Sequence, residues 1–136
     1  MKLMNIISLV LMAASCSPKI QKYNATKSDN MMIRIAELEI DSSHFETYIS
    51  IIKEEAAASV RLESGVISIY PMFEKQTPTT IRILEIYKNK EAYESHLQTP
   101  HFKHYKTSTL QMVKSLKLVE MEAIDKETMA KIFIKL

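Results

Sequence analysis

Two neighbouring stretches of this chain hold the side chains best suited to chemistry. His96 is the best candidate for a general base, because the unperturbed pKa of histidine is about 6.5 and allows proton transfer at neutral pH. Glu85 can orient such an imidazole, and Tyr87 can donate a hydrogen bond to a substrate oxygen. We therefore predict that His96, Glu85 and Tyr87 form a catalytic group. The alternative, that His96 only packs at a helix break, stays open.

A strand and a broken helix must bring these side chains together. Residues 83–87 alternate in character, which places Glu85 and Tyr87 on one face of a strand. The corner that follows is short, and the helix after it presents His96 towards the strand. We expect the imidazole of His96 to lie near the carboxylate of Glu85.

Capping residues define the break in the helix. Asn89 is a good N-cap for the first segment. Thr99 can cap the second segment, and Pro100 at its first position loses no hydrogen bond. The break can therefore direct both His96 and His101 towards the space in front of the strand.

The same region resembles a known family. The strand reads Glu-Ile-Tyr at 85–87, and the broken helix reads Ala-Tyr-Glu-Ser-His-Leu-Gln-Thr-Pro-His-Phe at 92–102. Upstream, residues 63–67 read Glu-Ser-Gly-Val-Ile. These motifs resemble those of the antibiotic biosynthesis monooxygenase (ABM) domain. Together they indicate an ABM-like domain from Met31 to about Ile124.

The resemblance implies a dimeric α+β barrel that oxygenates a polyphenolic or quinol-like aromatic substrate without flavin, haem or metal. On this basis we predict no cofactor, and we assign substrate binding to His101, Phe102 and Tyr105 on the second helix segment. Haem-degrading relatives usually carry Trp in place of His96 and a ligating His near Lys106. This chain has neither.

A metal site is the competing interpretation of the histidines. His96, His101 and His104 are close in sequence. The helix break spoils an i, i+4 pair of the first two, and the sequence places no carboxylate close to them. We therefore predict that they hold no metal.

Composition excludes several other classes of protein. The chain has 136 residues, a formal net charge of +2 and one glycine. A single glycine disfavours a nucleotide-binding loop, which needs several. Residues 1–30 carry a net charge of +3 and the remainder carries −1. The domain thus lacks a basic stripe, and we expect no nucleic acid partner.

The first 30 residues predict export and membrane attachment. Lys2 precedes an apolar run, and small residues lead to Cys16, the only cysteine. This pattern is typical of a bacterial lipoprotein signal. We predict a signal segment at 1–16 with lipidation at Cys16, then a polar tether at 17–30, so that the domain is anchored in the cell envelope and faces the periplasm. An ordinary signal peptide with an incidental cysteine is the alternative.

Hydrophobic patterning predicts one α+β domain over residues 31–124. Its order is β-α-β-β-α-β, the ferredoxin-like arrangement with a four-stranded antiparallel sheet. The strands are predicted at residues 31–40, 66–73, 80–87 and 116–124. Right-handed crossovers place the helices on one face of the sheet, and the other face would be covered in a homodimer. Residues 125–136 form an amphipathic tail.

The long first helix has a predicted buried stripe and a predicted end. Gly65 follows it and is expected to take a left-handed conformation. The stripe consists of Phe45, Ile49, Ile52, Ala56 and Val60.

Three functions fit these features. The first is a cofactor-independent monooxygenase acting on a quinol-like or polyphenolic aromatic. A non-catalytic lipoprotein module that binds a small aromatic ligand or a partner is the second. The third is an isomerase of a small carbonyl compound. Oxygen uptake with a reduced quinol distinguishes the first from the other two.

Overall fold

A computed structural model of the protein describes residues 31–125, 127, 128 and 131. The predicted signal segment, Cys16 and the tether lie outside the described residues, as does most of the predicted tail. None of the described helices is long and apolar enough to cross a membrane.

The described chain forms four strands and three helices in the predicted order. A 3-10 turn at Ser42–His44 precedes the first helix. The elements are β1 (Met32–Ile40), α1 (Phe45–Leu62), β2 (Val66–Phe73), β3 (Thr80–Tyr87), α2 (Lys90–His96), α3 (Pro100–Thr109) and β4 (Val113–Met121).

All four strands form one antiparallel sheet in the order β2-β3-β1-β4. This confirms the ferredoxin-like α+β prediction. The helices pack against the sheet face that carries Ala36, Leu38, Ile83 and Tyr87, and these buried side chains form the core with α1. Because strand side chains alternate, Leu84 and Ile86 lie on the opposite face.

The buried face of α1 differs from the predicted stripe. Ile52 and Ala56 are buried as expected, but Val60 is exposed. The remaining buried positions of the helix are Tyr48, Glu55 and Ser59. Two polar side chains therefore lie on the buried side of α1, and they become part of the site described below.

Gly65 is needed for space and not for a left-handed turn. No described residue, glycine included, has a positive φ, so the predicted left-handed cap is wrong. A Cβ atom built on Gly65 would lie 2.5 Å from the Cβ of Ala92. The Lys88 amide also donates to the Gly65 carbonyl at 2.8 Å. The absence of a side chain lets α2 pack directly against the turn between α1 and β2.

The predicted starts of α2 and α3 are confirmed, whereas the last strand begins three residues early. Asn89 caps α2 through the Ala92 amide, and Thr99 caps α3 with Pro100 in its first turn. β4 spans Val113–Met121 and not residues 116–124. A tight turn after α3, in which the Met112 amide donates to Thr109, directs the chain into the sheet at once.

Candidate active site

A cavity of about 240 Å³ lies between the sheet and the helices. Five of the six predicted catalytic and substrate-binding residues line it: Glu85, Tyr87, His96, Phe102 and Tyr105. Strand residues complete the apolar wall, among them Ala36, Leu38, Ile69, Ile83 and Leu118. The sixth, His101, lies outside the lining.

His96 is the last residue of α2 and is only 2% exposed. Its Nδ1 lies 2.9 Å from Oε1 of Glu63, and its Nε2 lies 3.6 Å from Oε1 of Glu55. The expected neighbour, Glu85, is instead hydrogen-bonded to Tyr87. His96 is therefore buried as predicted, but its closest carboxylates come from α1 and its end and not from β3.

Glu63 joins His96 to His101. Nε2 of His101 lies 2.6 Å from the same Oε1 atom of Glu63. Burial raises the pKa of Glu63, but the hydrogen bonds from His101 and His96 outweigh burial and lower it overall. An ionised carboxylate can only accept hydrogen bonds, so Nδ1 of His96 carries a proton and donates it. In the neutral imidazole this leaves Nε2 as the nitrogen able to accept a proton.

Glu55 and Ser59 are site residues that the sequence analysis missed. Ser59 Oγ donates to Oε1 of Glu55 at 2.7 Å, and both side chains are buried. Burial raises the pKa of Glu55, while the hydrogen bond from Ser59 acts in the opposite direction. Periodicity gave no sign of them, because polar residues in a helix ordinarily face solvent. Glu63, also without a predicted role, did belong to the motif at 63–67.

A second polar group lies on the strand side of the cavity. The Tyr87 hydroxyl donates to Oε2 of Glu85 at 3.2 Å. Burial raises the pKa of Glu85, and the positive charge of Arg34 acts against this. Arg34 lies 4.5 Å above the ring of Tyr93 and binds Glu120 at 2.7 Å. The cavity therefore has a buried cation as well as buried carboxyl groups.

Aromatic rings surround His96. The ring of Phe102 lies 4.7 Å from the imidazole, and the ring of Tyr87 lies 5.4 Å from it. Behind Phe102, the hydroxyls of Tyr48 and Tyr105 are 3.0 Å apart. Burial raises the pKa of Tyr105 to about 12, so its phenol stays protonated at neutral pH. The arrangement can hold a flat apolar molecule against the imidazole of His96 and the hydroxyls of Tyr87 and Tyr105.

The cluster of possible metal ligands differs from the three histidines considered in the sequence. Glu63, His96 and His101 place three potential ligand atoms within 4.8 Å of one another. His104 does not belong to this cluster, since it is exposed and contacts Ser108. The expectation that no carboxylate lies near the histidines is wrong, because Glu63 is distant in sequence but adjacent in space.

The fold and the cavity define a ferredoxin-like α+β protein with a partly open, mostly apolar cavity beside the buried imidazole of His96. The family model "Antibiotic biosynthesis monooxygenase" matches residues 31–108. The chain belongs to this family, which confirms the resemblance of its motifs. Among curated proteins, none matches the chain.

Solved structures support the assignment. A protein of Bacteroides thetaiotaomicron described as a "putative antibiotic biosynthesis monooxygenase" is 44% identical, with a TM-score of 0.70 over 71% of this chain and 91% of that one. A "putative monooxygenase" of Lactobacillus acidophilus is 30% identical, with a TM-score of 0.68 over 69% of this chain and 45% of that one. A Nitrosomonas europaea structure, 17% identical with a TM-score of 0.67 over 72% and 94%, shows the shared fold.

Replacing Arg34 with Met should raise the pKa of Glu85 further, because the opposing positive charge is lost. When folding raises the pKa of a carboxyl group, the folded protein loses stability as the pH rises from the ordinary pKa of the group to its shifted one. The variant should therefore lose more stability than wild type over that pH window. Carboxyl-carbon NMR titration and denaturation at several pH values measure the two effects.

Arg82→Met is the matched control. Arg82 lies on β3, the strand of Glu85, but its side chain is on the opposite face of the sheet, where it pairs with Glu74. The pKa of Glu85 should be unchanged in this variant. An equal shift in both variants would show that Arg34 has no specific effect on Glu85.

Proposed function

We propose that the protein is a cofactor-independent monooxygenase that oxidises a small phenolic or quinol-like aromatic. The observation that carries the proposal is the placement of His96. Its Nδ1 is engaged by Glu63, and its Nε2, 3.6 Å from Glu55, is beyond hydrogen-bond distance of that carboxylate. A proton acceptor is thus held in a fixed orientation at the wall of an aromatic cavity. Family membership supports the reaction class.

The size of the cavity limits the substrate. An engineered apolar cavity of about 150 Å³ holds benzene. The cavity here has about 240 Å³ and is lined by rings and aliphatic side chains. We propose a substrate of one or two fused rings, packed between Phe102 and the strand residues.

The reaction begins with removal of the phenol proton by Nε2 of His96. The resulting anion is electron-rich enough to react with O₂, and Arg34, the buried cation at the cavity wall, would stabilise it. Burial of the site excludes water from the reactive intermediate.

The substrate supplies all the electrons. A phenol with hydrogen at the reacting carbon loses that hydrogen and its hydroxyl proton. One atom of O₂ becomes the new carbonyl oxygen, and the other leaves as water, with the proton held by His96 returned to it. The products are a quinone and one water molecule, so no external reductant is required.

His96→Gln should abolish most turnover while retaining the fold and ligand binding. Glutamine keeps polarity and most of the volume and can still donate to Glu63, but it cannot accept a proton. We expect oxygen uptake with mono- and bicyclic hydroquinones to fall by roughly 100- to 10,000-fold. The control is His104→Gln on the exposed side of α3, which should retain the wild-type rate.

Other outcomes distinguish the alternatives. A wild-type rate in His96→Gln would make His96 structural. A saturable thermal shift of the wild-type protein by aromatic ligands, without oxygen uptake, would favour the binding module. Conversion of a small carbonyl compound without oxygen would favour the isomerase.

We also propose a homodimer through the open face of the sheet. This face carries apolar side chains from all four strands, including Ile35, Tyr70, Leu84 and Met121. Tyr70 and Met121 are exposed. A large apolar patch of this kind usually marks an interface.

Sedimentation should give twice the monomer mass. Ile35→Lys puts a charge at the centre of the proposed interface and should yield monomers. Glu54→Lys, on the exposed side of α1, should remain dimeric. A wild-type monomer at micromolar concentration would contradict the proposed dimer.

Membrane attachment through lipid on Cys16 is a further part of the proposal. It rests on the apolar leader and on the single cysteine at its end. Cys16→Ser should leave the leader uncleaved and remove the lipid, which mass spectrometry and detergent partitioning would detect. The same cleavage and distribution in both, with masses that differ only by the exchange of sulfur for oxygen, would exclude lipidation and favour an ordinary signal peptide.

A further inference from the structure

We propose that Glu63, His96 and His101 form a binding site for a divalent transition-metal ion, with zinc as the best chemical fit. The three side chains offer Oε1, Nδ1 and Nε2, and these atoms lie within 4.8 Å of one another. Two imidazoles and one carboxylate are a common ligand set for zinc, with water in the fourth position. Imidazole ligands also suit cobalt, nickel and copper.

The three ligand atoms lie within 4.8 Å of one another, so an ion requires two of their separations to widen and allows the third to shorten. Tetrahedral zinc with bonds of about 2.1 Å holds its ligand atoms about 3.4 Å apart. The two contacts to Glu63 Oε1 measure 2.9 Å for His96 and 2.6 Å for His101. Each must therefore widen by less than about 1 Å, which rotation of the side chains can supply.

The surroundings of His96 provide an independent observation. Metal-bound histidines usually donate their other ring N–H to a carboxylate. Here Nε2 of His96 faces Oε1 of Glu55 at 3.6 Å, and Ser59 fixes Glu55 by a hydrogen bond. Ser59, Glu55 and His96 are all buried, so a carboxylate stands on the side opposite the proposed ion, and shortening the 3.6 Å separation would complete the outer hydrogen bond.

Charge and access also favour a cation. Among the described residues, the ion-pair partners of Glu63 are His96 and His101, with no lysine or arginine. One carboxylate and two neutral imidazoles carry a net negative charge that a divalent ion reverses. The side chains of Glu63 and His101 are 12% and 17% exposed, so an ion can enter from the surface without crossing the cavity.

The proposed ion would connect three helix ends. Glu63 caps the end of α1, His96 ends α2, and His101 lies in the first turn of α3. Binding should therefore raise thermal stability, and the rise should grow with the logarithm of the free metal concentration once this exceeds the Kd. This gives a readout that does not depend on catalysis.

Metal binding and the proposed base use different nitrogens of the same ring. An ion on Nδ1 leaves the proton of the neutral imidazole on Nε2, where it faces Glu55. The loaded protein would then bind substrate without accepting its proton. If the proposed function holds, oxygen uptake should fall with metal occupancy and return with a chelator.

The test uses untagged, chelator-treated full chain carrying Cys16→Ser, so that no thiol competes for the ion. Titration with Co²⁺ should show one equivalent bound, with visible d–d absorption that Zn²⁺ abolishes, and a rise in melting temperature. His101→Gln should weaken binding by at least about 100-fold, because loss of an outer partner alone costs 10- to 100-fold. The control His104→Gln should bind as the parent does.

Circular dichroism establishes that each variant folds. Should His101→Gln be unfolded, Glu55→Gln replaces it, since this change leaves all three ligands in place and should weaken binding by about 10- to 100-fold. The proposal is overturned if the parent protein binds no Co²⁺ or Zn²⁺. It is equally overturned if the folded variants bind as tightly as the parent. Because these readouts do not involve O₂, they stand apart from any failure of the monooxygenase proposal.

Discussion

The structure around the cavity depends on one carboxylate oxygen. Oε1 of Glu63 accepts hydrogen bonds from His96 and His101, which belong to different helices. Buried polar groups must find partners, because an unpaired one costs about 1–3 kcal/mol. Both imidazoles reach Glu63 only because the helix breaks between them at Thr99 and Pro100. The break at Thr99 and Pro100 therefore lets a single acceptor serve one buried and one partly buried ring.

Sequence reasoning succeeded where the cause of structure is local. Alternation placed Glu85 and Tyr87 on one strand face, and the caps at Asn89 and Thr99 located both helix starts. These features depend on a few neighbouring residues, so a short window of sequence contains the relevant information.

The same reasoning failed where partners are far apart in the chain. Glu63 and His96 are 33 residues apart, and neither side chain alone indicates the pair. The sequence analysis gave Glu55 and Ser59 no role, yet Glu55 lies 3.6 Å from His96 and Ser59 donates a hydrogen bond to Glu55. A polar residue can be buried when a distant partner compensates its lost hydration, and periodicity cannot detect that compensation. Gly65 was misread for a similar reason, because its constraint is contact with Ala92.

The cavity wall divides into two parts that tolerate change unequally. Tyr87 belongs to the buried core and His96 is buried beside the cavity, so changes of side-chain volume there disturb packing as well as chemistry. Leu116 and Leu118 also line the cavity, yet they are 56% and 45% exposed. Exposed positions usually change stability little when substituted. Evolutionary divergence in substrate preference should therefore accumulate along β4, at the mouth of the cavity, while the inner wall stays fixed.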